Sequence, residues 1–99
     1  MYAAIRYYRT DPDSIDEVAR RVREGFVPII RETAGFVSYF VLDPGEREGA
    51  IVSVSVFEDE QSAQESNRKA EEWVSQNLSE LLMVPEFAAG QVVVYEAKQ

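Results

Sequence analysis

The two strand-like runs in the middle of the chain, Phe36 to Asp43 and Ala50 to Phe57, are apolar at odd and even positions alike. Successive side chains in a strand point to opposite faces, so a sheet built from these runs has two faces that need cover. Counted by alternation, Val37, Tyr39, Val41, Val52, Val54 and Val56 fall on one face. Phe36, Phe40, Leu42, Ile51 and Phe57 fall on the other. The polar turn Pro44-Gly45-Glu46-Arg47-Glu48-Gly49 is short enough to make the two runs antiparallel neighbours.

A strand is also predicted over Tyr2 to Arg9, where Ala3, Ile5 and Tyr7 alternate with Ala4, Arg6 and Tyr8. Thr10-Asp11-Pro12-Asp13-Ser14 then supplies helix-start chemistry, with Ser14 and Glu17 as a capping box or Asp11 as the cap ahead of Pro12. Ile15, Val18, Ala19, Val22, Phe26 and Ile29/Ile30 recur at helical steps. Pro28 cannot donate to the carbonyl of Glu24, so a kink is expected near Gly25 to Pro28, with Gly35 ending the helix. A second helix, capped by Asp59, has the stripe Ala63, Ser66/Asn67, Ala70, Trp73/Val74, Asn77/Leu78 and Leu81. Met83 to Phe87 reads as a connector and Gln91 to Ala97 as the last strand.

The order βαββαβ over residues 1–99 fits one ferredoxin-like α+β domain, a four-stranded antiparallel sheet with both helices on one face. The other face is then apolar and bare. Leaving five large apolar side chains in water would forgo roughly 10 kcal/mol at ~1.5–3 kcal/mol each, comparable to the whole stability of a domain. No segment is left to cover it, so a homodimer through the sheet face is expected.

The charge pattern narrows the partners. Eighteen acidic residues against 10 basic ones give a net charge of −8, which disfavours nucleic acid and anionic membrane surfaces. With no stretch approaching a membrane span and no signal-peptide pattern at the start, a cytoplasmic protein is expected. The chain has no Cys and no His, which removes disulfides, thiol nucleophiles, zinc–thiolate sites and every imidazole base or ligand. No metal site is expected. The Glu58-Asp59-Glu60 cluster is read as carboxylates complementing a helix dipole.

Gly35-Phe36-Val37-Ser38-Tyr39, Val54-Ser55-Val56-Phe57-Glu58, Ala70-Glu71-Glu72-Trp73-Val74 and Gly90-Gln91-Val92 resemble the dimeric α/β-barrel superfamily, in particular its antibiotic biosynthesis monooxygenase-like group. The resemblance implies a barrel formed by two sheets and, in each subunit, a pocket between helices and sheet. It implies a cofactor-independent monooxygenase acting on a small aromatic or quinone-like metabolite, whose own anion supplies the electrons to dioxygen. Haem-degrading relatives use a His on the second helix, which this chain lacks, so no cofactor is expected.

Under that reading Asn67 is the candidate catalytic residue, an amide on the apolar stripe of the second helix at roughly the place of the relatives' His. Trp73 is a candidate pocket wall or indole donor, although it stands six residues from Asn67 rather than one helical turn. Tyr7, Tyr39, Ser38, Ser53 and Ser55 are further candidate ligand-binding residues, the serines being small polar intrusions among large apolar neighbours. Arg6 is expected to pair with a carboxylate across the dimer, or else to bind an acidic ligand. The alternative function is a non-catalytic homodimeric module that binds a hydrophobic small molecule or acts in stress response.

Overall fold

The computed structural model describes residues 1–98. Four strands, β1 (Tyr2–Arg9), β2 (Phe36–Leu42), β3 (Ala50–Phe57) and β4 (Glu86–Gln91), form one sheet in the order β2-β3-β1-β4. Every adjacent pair is antiparallel. This is the ferredoxin-like arrangement expected from the element order.

The helical layer has two parts. The first is an arm made of α1 (Ile15–Arg21), a π-helical turn (Val22–Phe26) and α2 (Val27–Arg31). The second is α3 (Glu60–Asn77). The break expected around Pro28 takes the form of the π turn. It places Pro28 in the first turn of α2, where a missing N–H costs no intrahelical bond. Asp11 is the cap of the 3₁₀ turn that precedes α1, accepting from the Asp13 N–H at 2.9 Å. The Ser14 capping box is not made, because Glu17 is engaged by Arg20 and Arg21 at 2.7 Å each. Asp59 caps α3 as expected, accepting from the Ser62 N–H at 2.8 Å.

Register corrects the sequence reading of the faces. Tyr39 lies opposite Ser55 and Val41 opposite Ser53, while Phe40 lies opposite Val54 and Leu42 opposite Val52. The helix-facing side therefore carries Tyr39, Val41, Ile51, Ser53, Ser55 and Phe57, and the open side Phe40, Leu42, Val52, Val54 and Val56. A register shift between Phe36 and Ser38 sets Phe36 opposite Phe57, so simple alternation misplaces it. The last strand is also corrected. It runs Glu86–Gln91, and Gln91 pairs with Tyr2, the first residue of β1. Val92 donates its N–H to the Met1 oxygen at 3.0 Å, just ahead of the start of β1, and Val93 and Val94 are almost fully exposed. Gly35 has φ +79° as its turn demands, but the helix stops earlier, at Arg31.

Phe26, Ile30, Phe57, Ala63 and Ala70 form one apolar cluster, and Tyr8, Val18, Ile51 and Leu78 a second. Trp73 and Val22 pack against both. The indole reaches that position because α3 faces Gly25 in the π turn. A Cβ on Gly25 would lie 2.8 Å from Trp73 Cζ2. Gly25→Ala should gain ~1 kcal/mol of helix propensity and lose about 1–3 kcal/mol by overpacking. The expected outcome in urea unfolding is a net loss of roughly 1 kcal/mol with shifted Trp73 emission. An unchanged midpoint and spectrum would contradict the close approach.

Candidate active site

Between the helices and the sheet lies a cavity of about 40 Å³. Its sheet wall is built by the even positions of β1 and the odd positions of β3: Arg6, Tyr8, Ile51, Ser53 and Ser55, joined by Tyr39 and Val41 of β2. The helical wall includes Val22, Phe26, Ser66, Ala70 and Trp73. Tyr39 is fixed edge-on against Phe26 at 5.7 Å between ring centroids, and Phe26 packs in turn on Trp73 at 5.5 Å.

The polar inventory is one-sided. Arg6 is the single charged side chain in the lining, and the residue is only 6% exposed. Its Nη2 donates to the backbone oxygen of Asn67 at 3.3 Å, and its guanidinium lies 5.1 Å from the centroid of Phe87. Among the described residues no carboxylate forms a salt bridge with it. Tyr8, Tyr39, Ser53, Ser55 and Ser66 add hydroxyls. Burial pushes the Tyr39 phenol well above its ordinary range, with Tyr8 nearby adding to the effect and Arg6 opposing it. Burial likewise raises Tyr8. Both are therefore neutral hydroxyl donors at neutral pH.

The structure sorts the candidates. Tyr39, Ser53, Ser55 and Trp73 line the cavity together. Asn67 is not in the lining, where its neighbour Ser66 stands instead. It lies beside it, its backbone oxygen bound to Arg6 and its Oδ1 buried with no hydrogen-bond partner among the described residues. Tyr7 and Ser38 fall on the opposite face of the sheet, since their strand positions pair with Val52 and Val56. The Tyr7 hydroxyl donates to Glu46. Arg6 points toward the helices rather than across the open face, which corrects the expected pairing across a dimer. Tyr8 and Ser66 join the lining, although the sequence places them only on a strand and on the helix stripe. Their signal was the same parity as Arg6 on β1 and the same helical face as Ala63 and Ala70.

A second hollow of about 440 Å³ opens to solvent between α1 and the edge strand β2. Val22, Tyr39, Val41 and Ile51 line both spaces and so form the partition between them.

The family model for antibiotic biosynthesis monooxygenases matches residues 1–77. The chain belongs to that family. Solved structures give the same fold. SnoaB, a cofactor-independent oxygenase from Streptomyces nogalater, superposes with a TM-score of 0.72 at 13% identity, covering 98% of this chain and 97% of its own. The ActVA-Orf6 monooxygenase of Streptomyces coelicolor, solved with nanaomycin D, gives 0.71 at 21% identity, covering 99% and 92%. The haem degrader MhuD of Mycobacterium tuberculosis, solved with two haems in its active site, gives 0.78 at 13%, covering 98% and 100%. At such identities the likeness is one of fold. A search of curated proteins returns no match.

Haem does not fit the residues present in this chain of the antibiotic biosynthesis monooxygenase family. It has no His or Cys, and so no imidazole or thiolate, to hold the iron. Among the described residues no group of three Asp or Glu is placed to hold a metal.

The phenols supply a test of the buried geometry. A phenol whose folded pKa is raised stabilises the protein fully below its unfolded pKa of 10.0 and loses that contribution as pH rises towards the folded value. Stability should therefore fall above about pH 10, and Tyr39→Phe should flatten that fall. Urea midpoints at pH 8 to 11, roughly spanning the ordinary phenol range, check this. Parallel pH profiles for the two proteins would mean that the Tyr39 hydroxyl is not buried.

Proposed function

We propose that this protein is a monooxygenase-like enzyme that works without a bound cofactor on a small aromatic or quinone-like metabolite. The observation that carries the reading is a cavity in a chain of this family lined by one cation, neutral hydroxyls and an aromatic wall. Fixed donors of this kind stabilise an oxyanion, and the enclosing rings exclude water. A ring CH₂ flanked by carbonyl and aromatic groups gives up a proton to water before it is enclosed, and the resulting anion reduces dioxygen. One oxygen becomes the new carbonyl and the other leaves as water, so the substrate supplies all the electrons. Tyr39, Ser53, Ser55 and Trp73 shape the site. Asn67 stands beside the cavity with its Oδ1 buried and unpartnered among the described residues, and turning that amide into the lining offers a substrate hydroxyl an acceptor. A ring system enters when the partition at Val22 and Tyr39 opens and joins the cavity to the α1–β2 hollow.

The assembly we propose is a homodimer in the cytoplasm, joined through the open sheet face. Ile5 and Phe40 stand 44% and 51% exposed there, beside Leu42, Val52, Val54 and Val56, and a second copy is the covering layer that buries them. Among the described residues no helix is long and apolar enough to cross a membrane. Sedimentation at micromolar concentration should return twice the 11.2 kDa chain mass. A monomer would overturn the dimer.

For the chemistry, oxygen uptake with 1,8-dihydroxy-9-anthrone should exceed its uncatalysed oxidation. Asn67→Ala should lower kcat by about 10²-fold, the effect of losing one such polar contact. Unchanged turnover in that variant would remove Asn67 from the mechanism. The six-residue separation of Asn67 and Trp73 favours the second reading, a non-catalytic module for a hydrophobic ligand. A tight ligand recovered intact after exposure to oxygen would support that reading.

A further inference from the structure

We infer that this cavity selects an aromatic monoanion and that Arg6 is the residue that recognises its charge. The inference rests on the cavity being the ligand site, and it stands whether or not the bound molecule is turned over.

A chain with 18 acidic and 10 basic residues has ample means to neutralise an interior cation, yet the cavity lining contains no Asp or Glu. Arg6 is more than nine-tenths buried. Among the described residues its side chain makes one hydrogen bond, to the Asn67 backbone oxygen, a carbonyl inside α3 that the helix ladder already engages. A guanidinium has five N–H donors, so most of this one's capacity is unspent. A buried charge of this kind is costly without an anion beside it. The Phe87 ring offers the group a cation–π contact, 5.1 Å from the guanidinium carbon to the ring centroid, and no hydrogen bond.

The surroundings fix the rest of the ligand class. About 40 Å³ of space admits a carboxylate or an ionised enol but not a ring. The adjoining hollow, about 440 Å³, is lined by Ile15, Ala19, Val22 and Val27 with Tyr39, and also by the charged Asp16, Arg23 and Asp43, so it takes a flat, largely apolar body. Nothing in the cavity lining serves as a strong base: the chain has no His, and Tyr8 and Tyr39 hold their protons beyond the ordinary phenol range. A ligand that arrives as the anion suits a cavity with a cation and no base. Ser53, opposite Arg6 on β3, and Ser55 then donate to the same anionic group.

The test uses the full chain and a matched pair of probes, 2-naphthoate and 2-naphthamide, titrated at pH 7 against the fluorescence of Trp73, the one Trp in the chain. Naphthoate should bind at least tenfold more tightly than the amide. Arg6→Met, close in volume and neutral, should abolish that preference, and Arg6→Lys should keep part of it. Equal affinities in the unaltered protein, no saturable binding of naphthoate, or a preference that survives Arg6→Met would each overturn the inference. Should Arg6→Met fail to fold, the preference ratio in Arg6→Lys decides, since a site indifferent to the guanidinium would leave it unchanged. The outcome is separable from the oxygenase reading. Loss of turnover in Asn67→Ala with no charge preference leaves the enzyme and removes the anion site. The reverse result leaves a binding site without the chemistry.

Discussion

The ladder between β1 and β3 is the constraint from which the rest follows. It pairs all eight residues of each strand, Tyr2 with Phe57 through Arg9 with Ala50. One register decides that Arg6 and Ser53 face the helices together, and that Ile5 and Val54 face away together. A slip of one residue would exchange these sets, placing the guanidinium on the open face and Ile5 inside. Because β2 and β4 pair only outward from these two strands, the polar row of the cavity and the apolar open face are two consequences of a single alignment.

The helical layer is fitted to that sheet through one broken helix. Pro28 forbids a continuous run, and the π turn at Val22–Phe26 absorbs the extra residue. The same turn brings Gly25 against the Trp73 ring and lets Phe26 pack between Trp73 and Tyr39. Arg21 ties the arm to the far end of α3 by donating to the Asn77 carbonyl at 2.8 Å and pairing with Glu80. The aromatic wall of the cavity is therefore a product of backbone geometry, not of a dedicated loop.

Much of this was legible in the residues. Alternation in Tyr2 to Arg9 and Ala50 to Phe57, the Asp59 cap and the break at Pro28 each depend on local chemistry, and each is found. The inward parity of β1 was not legible. Its alternatives, Ala3-Ile5-Tyr7 and Ala4-Arg6-Tyr8, differ by a buried arginine, which local hydrophobicity assigns outward and tertiary pairing assigns inward. The face occupied by Phe36 depends on a register shift that leaves no sequence mark. The final strand was displaced because Val92 to Tyr95 look like a strand, while β1 begins at Tyr2 and leaves Met1 to receive the Val92 N–H. Sequence reasoning fails where a residue answers to function or to a distant neighbour, and Arg6 is the clearest case.

If Arg6 is kept for a ligand, it is a cost to the empty protein. Replacing a buried, unpaired charge by an apolar side chain of similar volume is commonly neutral or stabilising. The most direct measurement is the urea unfolding free energy of Arg6→Met against the unaltered protein, both free of ligand. The variant is expected to be at least as stable as the unaltered protein. A loss of about 3 kcal/mol or more, the effect of breaking a buried ion pair, would show that Arg6 holds the fold together and would contradict its assignment to a ligand.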